Sequence, residues 1–448
     1  MNITNADSFD LRRRYLLAGM GAFALLRPAS ALAQNGIDAR DLALLPNSGS
    51  DQSTALQLAV NTAAERGLPL LLPGGNYMAS NIRLPSNLKL VGVPGVTLLH
   101  ASGNAPVLSA EGQADIVIED IGFRGTTAAA DPADLLRFRA CTNLHLSRLD
   151  LQKAGSNGIY TETCQGVIAD CTFAGFGQSA IHVQNSTGMT LAHNMISDCA
   201  NGGIRVWRFE NGHDGTLVTG NTIAGIGSQS GNGQNGNGIN IFHADAVIIA
   251  DNNITDCAFS AIRANSTNNA LIRGNVCTKS QEVAIFSEFA FTGSIVSGNV
   301  IDQAAQGISI TNFDSGGRLA IVSDNIVRNI WPSSPTNPDT SPVGIFAEAD
   351  TAVSGNVVES VPGFGILAGW GPYLRDVLVS NNIVRDTEAG IGVSVAEGAG
   401  AARIAGNLIS GSKQAGIIGM AWSDPVGTDL SVKPDQFPKI SVSGNSVS

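Results

Sequence analysis

One repeating unit runs through most of this 448-residue chain and constrains its fold more than any other feature. From about residue 145, each unit carries a short run of alternating apolar residues, a small residue followed by Asn, two further positions and a turn. Residues 217–223, 295–301 and 352–358 read LVTGNTI, IVSGNVI and AVSGNVV. Because the apolar residues recur with a period of two and never with a helical period, the unit is predicted to consist of β-strands.

The Asn-type position of this unit recurs at intervals of 23 to 31 residues. A period of this length, with insertions at fixed phases, is typical of a solenoid in which each turn is a coil of short strands. We therefore predict an all-β, right-handed parallel β-helix of roughly 11 to 13 coils, with the Asn side chains stacked at one bend. Asn tolerates left-handed backbone conformations and is expected to adopt them there. The positions are Cys171, Asn194, Asn221, Asn252, Asn275, Asn299, Asn325, Asn356, Asn382 and Asn407.

A short amphipathic segment is predicted to close the N-terminal end of the β-helix, where unpaired strand groups would otherwise be exposed. Residues 51–67 form this capping helix, with Asp51 or Ser53 as its cap and Gly67 at its end. Its apolar face comprises Leu56, Ala59, Val60, Ala63 and Ala64.

The chain is predicted to form a single domain over residues 34–448, because one period spans most of its length. After the capping helix, the first coils occupy residues 68–144 and the regular Asn-ladder repeats occupy residues 145–420. An insertion and a terminal coil occupy residues 421–448.

Residues 1–33 are predicted to be an export signal, with a charged start, an apolar run over 16–26 and a small-residue cleavage site at 31–33. The apolar run is too short to span a bilayer, so no membrane span is expected after cleavage. Residues 12–16, Arg-Arg-Arg-Tyr-Leu, resemble the twin-arginine motif. The predicted location is the periplasm or the medium, with the twin-arginine translocase as a partner during export. The alternative is an ordinary secretory signal.

The N-terminal segments also resemble a known superfamily. Residues 53–57, Ser-Thr-Ala-Leu-Gln, precede residues 70–77, Leu-Leu-Leu-Pro-Gly-Gly-Asn-Tyr. Together they are similar to the start of the pectate-lyase-like right-handed β-helix superfamily. With its signal and repeats, the whole chain resembles a family of twin-arginine-exported β-helix repeat proteins. The resemblance implies the fold and does not specify an activity.

The charge of the chain excludes some partners. The formal net charge is −11, and without the signal, whose net charge is +2, it is about −13. An acidic body repels nucleic acid, so no nucleic-acid partner is expected. A polyanionic ligand would need a local basic patch or a bound cation.

Six cysteines lie in the repeat region, at Cys141, Cys164, Cys171, Cys199, Cys257 and Cys277. Their spacing does not match a zinc site. Cys141 and Cys164 fall at equivalent positions of adjacent coils, within reach of a disulfide. A ladder of small buried residues is the favoured alternative.

The residues beside the inward-pointing Ile of each coil should point outward, because side chains alternate along a strand. The first predicted outward column comprises Arg137, Tyr160, His182, Arg205, Asn240, Arg263, Phe286, Ser309, Phe346 and Leu367. The second, two residues further on, comprises Arg139, Glu162, Gln184, Trp207, Phe242, Asn265, Glu288, Thr311 and Glu348.

Insertions at residues 208–215 and 227–238 flank these columns and are predicted to make the sheet a groove. Aromatic and planar hydrogen-bonding side chains along a groove suit an oligosaccharide or polysaccharide, and arginines suit the carboxylates of uronates. The predicted substrate-binding residues are Arg137, Glu162, Trp207, Asn240, Phe242, His243, Arg263 and Glu288.

A lyase or epimerase of such a substrate must remove the proton next to a carboxylate. His182 is the predicted base and Tyr160 the predicted acid, while Arg205 or Arg263 would neutralise the carboxylate. His243, Glu162 and Glu288 are reserve candidates. Glu162 and Glu288 are predicted to lie about five coils apart, too distant for a glycosidase pair.

The known catalytic signatures of the superfamily are mostly missing. Residues 131–134, Asp-Pro-Ala-Asp, resemble the Asp-Pro-His-Asp of alginate epimerases but have Ala in place of His. No cofactor or metal ligand set is identified, and calcium is left open. The alternative function is a non-catalytic periplasmic glycan-binding or scaffold protein, which would use the same groove or the insertions at 331–342 and 422–438.

Overall fold

A computed structural model describes residues 36–126, 133–311 and 317–448. The predicted export signal lies outside these residues, as do the first two residues of the 131–134 motif. Residues 37–448 form one compact unit, a parallel β-helix of about 13 turns. Each turn contributes strands to three stacked columns, here named the flank sheet, the back sheet and the site sheet.

The flank sheet contains one strand from almost every coil, and strands of adjacent coils pair in parallel. Its strands are Ile37–Asp38, Leu70–Leu71, Lys89–Val91, Ala114–Glu119, Thr142–Ser147, Gly166–Ala169, Thr190–Ala192, Leu217–Thr219, Ile248–Ala250, Ala270–Arg273, Thr292–Ser297, Arg318–Ser323, Thr351–Ser354, Val377–Ser380, Ala402–Ala405 and Ile440–Ser443.

The back and site sheets share four long strands that run from one into the other: Val276–Glu288, Val300–Thr311, Val357–Ala368 and Ile383–Ser394. The other back-sheet strands are Gly75–Met78, Thr97–His100, Gly122–Arg124, Asp150–Ala154, Thr172–Phe176, Met195–Cys199, Thr222–Ile226, Asn253–Cys257, Ile326–Arg328, Leu408–Ser410 and Ser446–Val447. The other site-sheet strands are Ile82–Arg83, Leu108–Glu111, Leu136–Arg139, Ile159–Glu162, Ser179–Gln184, Gly202–His213, Asn237–Asp245, Ile262–Asn265, Val343–Ala347 and Ala415–Ala421, with Asp424–Val426 paired antiparallel to the last.

The core is a continuous stack of aliphatic side chains inside the coils. On the site sheet the predicted inward position is fully buried in each consecutive coil, and burial of such aliphatic surface is the main stabilising contribution to a solenoid. These residues are Ile159, Ile181, Ile204, Ile239, Ile262, Ile285, Ile308, Ile345, Ile366, Ile391 and Ile417.

The Asn ladder forms as predicted and extends to Asn445. From Asn194 onward, each Nδ2 donates to Oδ1 of the next Asn at 2.9 to 3.0 Å. The expected backbone conformation was wrong, because the left-handed residue lies one position earlier. Asp251, for example, has φ 58°, while Asn252 beside it is not left-handed. The preceding residue makes the bend, and Asn satisfies the backbone groups of adjacent coils.

The capping helix spans Ser53–Arg66. The N-cap residue is Gln52, but the side chain that caps the helix is that of the preceding residue, Asp51. Its Oδ1 accepts hydrogen bonds from the backbone N and Oγ of Ser53 at 2.7 and 2.5 Å. Gly67 ends the helix at φ 63°. Two 3-10 helices, Ala39–Leu42 and Gly371–Tyr373, complete the helical content of the described residues. Within those residues, no helix has the length and apolar character needed to cross a bilayer.

All six cysteines are free and buried, which favours the ladder over the disulfide. The backbone N of Cys141 donates to Sγ of Cys164 at 3.4 Å, so the two residues stack on adjacent coils as predicted. Burial raises the pKa of Cys171 and Cys199 to about 12, so both thiols stay protonated and unreactive at neutral pH.

Candidate functional site

The site sheet brings the two predicted outward columns together in the predicted register. Tyr160 pairs with His182, His182 with Arg205, and Arg205 with Asn240 in the first column. In the second column Trp207 pairs with Phe242. The same register continues from Arg137 to Leu367 and from Arg139 to Thr311. The strand register thus agrees with the predicted columns over these ranges, while the roles of the residues stay predictions.

Tyr160, His182 and Trp207 form a half-buried aromatic stack. The ring centroids of Tyr160 and His182 lie 5.2 Å apart, and those of His182 and Trp207 lie 5.3 Å apart, both edge to face. Nε2 of His182 donates to Oε1 of Gln184 at 3.3 Å, which leaves Nδ1 as the nitrogen able to accept a proton. Burial, with a smaller contribution from the Arg205 charge, lowers the pKa of His182 to about 4. The imidazole is therefore neutral at pH 7.

Tyr160 is suited to donate a proton, whereas His182 is suited to accept one. Its hydroxyl donates to Oε2 of Glu162 at 3.3 Å. Burial, followed by the nearby Glu162 charge, raises the pKa of Tyr160 to about 12. The phenol therefore keeps its proton at neutral pH and can donate it.

Most arginines of the columns are already paired with carboxylates of the chain. Nη2 of Arg137 lies 2.7 Å from Oδ2 of Asp134, and Arg139 lies 2.7 Å from Oε2 of Glu162. The side chain of Arg263 donates to both oxygens of Glu288, at 2.7 and 2.8 Å. The predicted uronate contacts of Arg137 and Arg263 would therefore have to compete with these internal ion pairs.

Arg205 is the exception. It is only 5% exposed, and none of the described carboxylates lies within ion-pair distance of it. Its Nη2 donates to O of Asn201 at 3.0 Å and to Oδ1 of Asn235 at 2.7 Å. Its guanidinium carbon lies 4.9 Å from the centre of the Trp207 ring, and its Nε has no hydrogen-bond partner. Burial lowers the pKa of Arg205 to about 10, so the side chain is still charged at pH 7.

A cavity of about 750 Å³ lies beside this stack, toward the C-terminal coils. Trp207 forms part of its wall, and Nε1 of Trp207 donates to Oδ1 of Asn240 at 3.1 Å. Tyr160, His182 and Arg205 do not line it. The predicted binding residues that do are Trp207, Asn240, Phe242, Arg263 and Glu288.

The insertion at residues 227–238 covers part of this cavity, as predicted. O of Gly233 accepts a hydrogen bond from Nη1 of Arg263 at 2.7 Å, and O of Gln234 accepts one from Nδ2 of Asn240 at 3.1 Å. His243 lies outside the cavity lining. Its ring stacks on Phe242 at 3.7 Å between centroids.

Glu282 is a cavity residue that sequence reasoning missed. It is 4% exposed, and its Oε2 lies 3.4 Å from Nη1 of Arg263, so two carboxylates share one guanidinium. Nδ2 of Asn337, from the 331–342 insertion, donates to the other oxygen of Glu282 at 2.8 Å. The sequence offered no signal for it, because Glu282 lies within the register shift between Ser280 and Val283, where the alternation of side chains is interrupted.

A second cavity of about 440 Å³ adjoins the first and shares Glu282 and Asn337 with it. Both C-terminal insertions contribute to its wall, through Asn337 and Trp422 among others. Its aromatic residues are Phe286, Phe346, Phe364, Trp370 and Trp422. The two cavities therefore lie next to each other along the site sheet, in which adjacent coils are about 4.8 Å apart. Within the described ranges, no three His, Cys, Asp or Glu side chains cluster closely enough to hold a metal ion.

Stacked parallel coils with a groove on one outer sheet define a β-helix protein. The chain belongs to the right-handed β-helix family, whose description, "Right handed beta helix region", matches residues 135–228, 158–329 and 209–374. Together these segments cover more than half of the chain. The match confirms the predicted handedness and supports the predicted superfamily.

Three solved structures share this fold at low sequence identity. The catalytic unit of a GH87 alpha-1,3-glucanase from Streptomyces thermodiastaticus strain HF3-3 aligns with a TM-score of 0.53 and 13% identity, over 89% of this chain and 70% of that one. PfbA, a surface adhesin of Streptococcus pneumoniae, aligns with a TM-score of 0.52 and 12% identity, over 87% of this chain and 94% of that one. The N-terminal fragment of bacteriophage phi29 gene product 12 aligns with a TM-score of 0.52 and 14% identity, over 87% of this chain and 71% of that one. At these identities the likeness shows the fold alone. The comparison with curated proteins finds no match.

Proposed function

We propose that this protein binds a polysaccharide chain along the groove of its site sheet. The observation that carries the proposal is the 750 Å³ cavity, whose wall combines Trp207 and Phe242 with Asn240, Asn265 and Glu288. Aromatic faces beside planar amides and carboxylates suit the apolar faces and hydroxyl edges of sugar rings. The glucanase of similar fold, named for acting on a polysaccharide, agrees with the proposal.

The proposed ligand is an acidic polysaccharide, whose carboxylate is recognised by Arg205. This buried guanidinium has no carboxylate from the described chain beside it, and a uronate carboxylate would supply the missing negative charge. Asn235 of the covering loop would have to give up its hydrogen bond to Arg205 to admit that group.

The reaction that fits this arrangement is proton abstraction next to the uronate carboxylate. Nδ1 of neutral His182 takes the proton from carbon, and Arg205 stabilises the negative charge that develops on the carboxylate. The electron pair of the broken C–H bond then forms a double bond as the glycosidic oxygen leaves with the proton of Tyr160. In an epimerase, a proton would instead be returned to the opposite face of the carbon.

A non-catalytic glycan-binding or scaffold protein is the second candidate. The ion pairs of Arg137 and Arg263 favour it, because they leave only the buried Arg205 of these three arginines without a carboxylate partner. Turnover measurements separate the two candidates.

Tryptophan fluorescence tests the location of the ligand. Trp207 lines the main cavity and Trp331 lines neither cavity. We expect a short oligosaccharide to change the emission of the wild type and of Trp331→Phe, and to leave Trp207→Phe almost unchanged. An equal response in all three proteins would place the ligand elsewhere.

We also propose export by the twin-arginine pathway, which rests on residues 12–16 and the cleavage site at 31–33. Replacing Arg12 and Arg13 by Lys should cause the uncleaved protein to accumulate in the cytoplasm, as measured by cell fractionation. Replacing Arg27 by Lys is the control and should leave export unchanged. Continued export of the Arg12/Arg13 variant would favour the ordinary secretory signal.

A further inference from the structure

The back sheet carries a column of outward-facing aliphatic side chains that do not line either cavity of the site sheet. Its members occupy one register position in six consecutive coils, immediately after the Asn ladder. Four are exposed by 38 to 47%, and Val300 and Val357 are partly exposed. The column comprises Val276, Val300, Ile326, Val357, Ile383 and Leu408.

Across the Asn bend, the flank sheet adds further exposed aliphatic side chains. Ile248, Ile295, Ile321 and Leu378 are exposed by 36 to 44%. The two columns together form an apolar stripe over several coils, which is unusual on a monomeric soluble protein.

A column of alternating charge runs beside the aliphatic one, two residues further along the same strands. Its order along the coils is Asp302, Arg328, Glu359 and Arg385. Arg328 lies 2.9 Å from Asp302, and Arg385 lies 2.5 Å from Glu359. The sequence of signs is therefore negative, positive, negative, positive.

We propose that a second copy of this chain packs on the back sheet with its coil axis reversed. A two-fold axis along the strand direction, between the coils of Arg328 and Glu359, brings each aliphatic column onto its counterpart. It also reverses the order of the charges, so Asp302 faces Arg385 of the second copy and Arg328 faces its Glu359. The same packing removes the back-sheet aliphatic column from water, and this self-complementarity in sign and shape identifies the second copy as the occupant.

Sedimentation equilibrium of the purified protein tests the proposal. We expect a dimer for the wild type and a monomer for Ile326→Glu, which places a charge in the middle of the apolar contact. Val432→Glu is the control, because Val432 is 75% exposed in the C-terminal insertion, and it should stay dimeric. Circular dichroism should show the same fold in all three. A monomeric wild type, including one that binds phospholipid vesicles through this face, or a dimer that survives Ile326→Glu, would overturn the proposal.

Charge reversal tests the two-fold register itself. A variant with Asp302→Lys, Arg328→Glu, Glu359→Lys and Arg385→Glu keeps the alternation, so it should still form a dimer with itself. Mixed with the wild type it places like charges opposite each other, so at least tenfold fewer mixed dimers than self-paired dimers are expected in affinity-tag capture. Random mixing would show that these charges do not face each other.

Discussion

Replacing Asn252 by Ala will lower the free energy of unfolding by about 3 kcal/mol, since it leaves several buried polar groups without partners. Oδ1 of Asn252 accepts hydrogen bonds from N and Nδ2 of Asn221, both at 2.9 Å. Its Nδ2 donates to Oδ1 of Asn275 at 2.9 Å and to two backbone carbonyl oxygens. Asn252 is 1% exposed, so water cannot easily replace these partners. Urea unfolding followed by circular dichroism measures the loss.

The neighbouring residue supplies a matched control. Asn253 follows Asn252 directly, points outward and is exposed. Asn253→Ala should change the free energy of unfolding by less than about 0.5 kcal/mol. Equal effects of the two substitutions would contradict the proposed structural role of the ladder.

Replacing His182, the proposed base, by Gln will reduce turnover of a uronate polymer by about 100-fold or more. Glutamine retains a planar polar group but cannot accept the substrate proton at neutral pH. His193→Gln is the control, because His193 is exposed at the bend beside the Asn ladder. Its turnover should match that of the wild type. Turnover can be measured by ultraviolet absorbance of the unsaturated product or by proton NMR.

The pH dependence of wild-type turnover gives a second readout of the same role. The base form of His182 is the neutral imidazole, and burial lowers its pKa to about 4. Turnover should therefore stay constant through pH 6.5, the usual pKa of histidine, and should fall as the pH drops through about 4. A fall centred near pH 6.5 would contradict the assignment of buried His182 as the base.

The fold and the register of the site could be predicted from the sequence because two local signals fix them. The period of two decides which side chains face the core, and the Asn phase aligns each coil with the next. For this reason His182 and Arg205 lie side by side as expected. The pairing of Arg263 with Glu288 could also be predicted from the sequence, since the two residues occupy adjacent coils and neighbouring columns.

The full wall of the cavity could not be predicted, because loops that lack the repeat pattern form much of it. Gly233 and Asn337 reach the groove from two separate insertions. Glu282 lies within a register shift of a long strand, so simple alternation does not indicate its direction. The burial of Arg205 depends on the same covering loop, through Asn235.

Saturation-transfer difference NMR with a panel of uronate and neutral oligosaccharides, with and without calcium, tests the central claim most directly. The wild type should transfer saturation to a uronate oligosaccharide, and Trp207→Ala should lose that transfer while Trp331→Ala keeps it. Later spectra of the same samples would reveal unsaturated or inverted sugars if the protein is an enzyme. Transfer to no member of the panel, or undiminished transfer in Trp207→Ala, would contradict a polysaccharide site in this cavity.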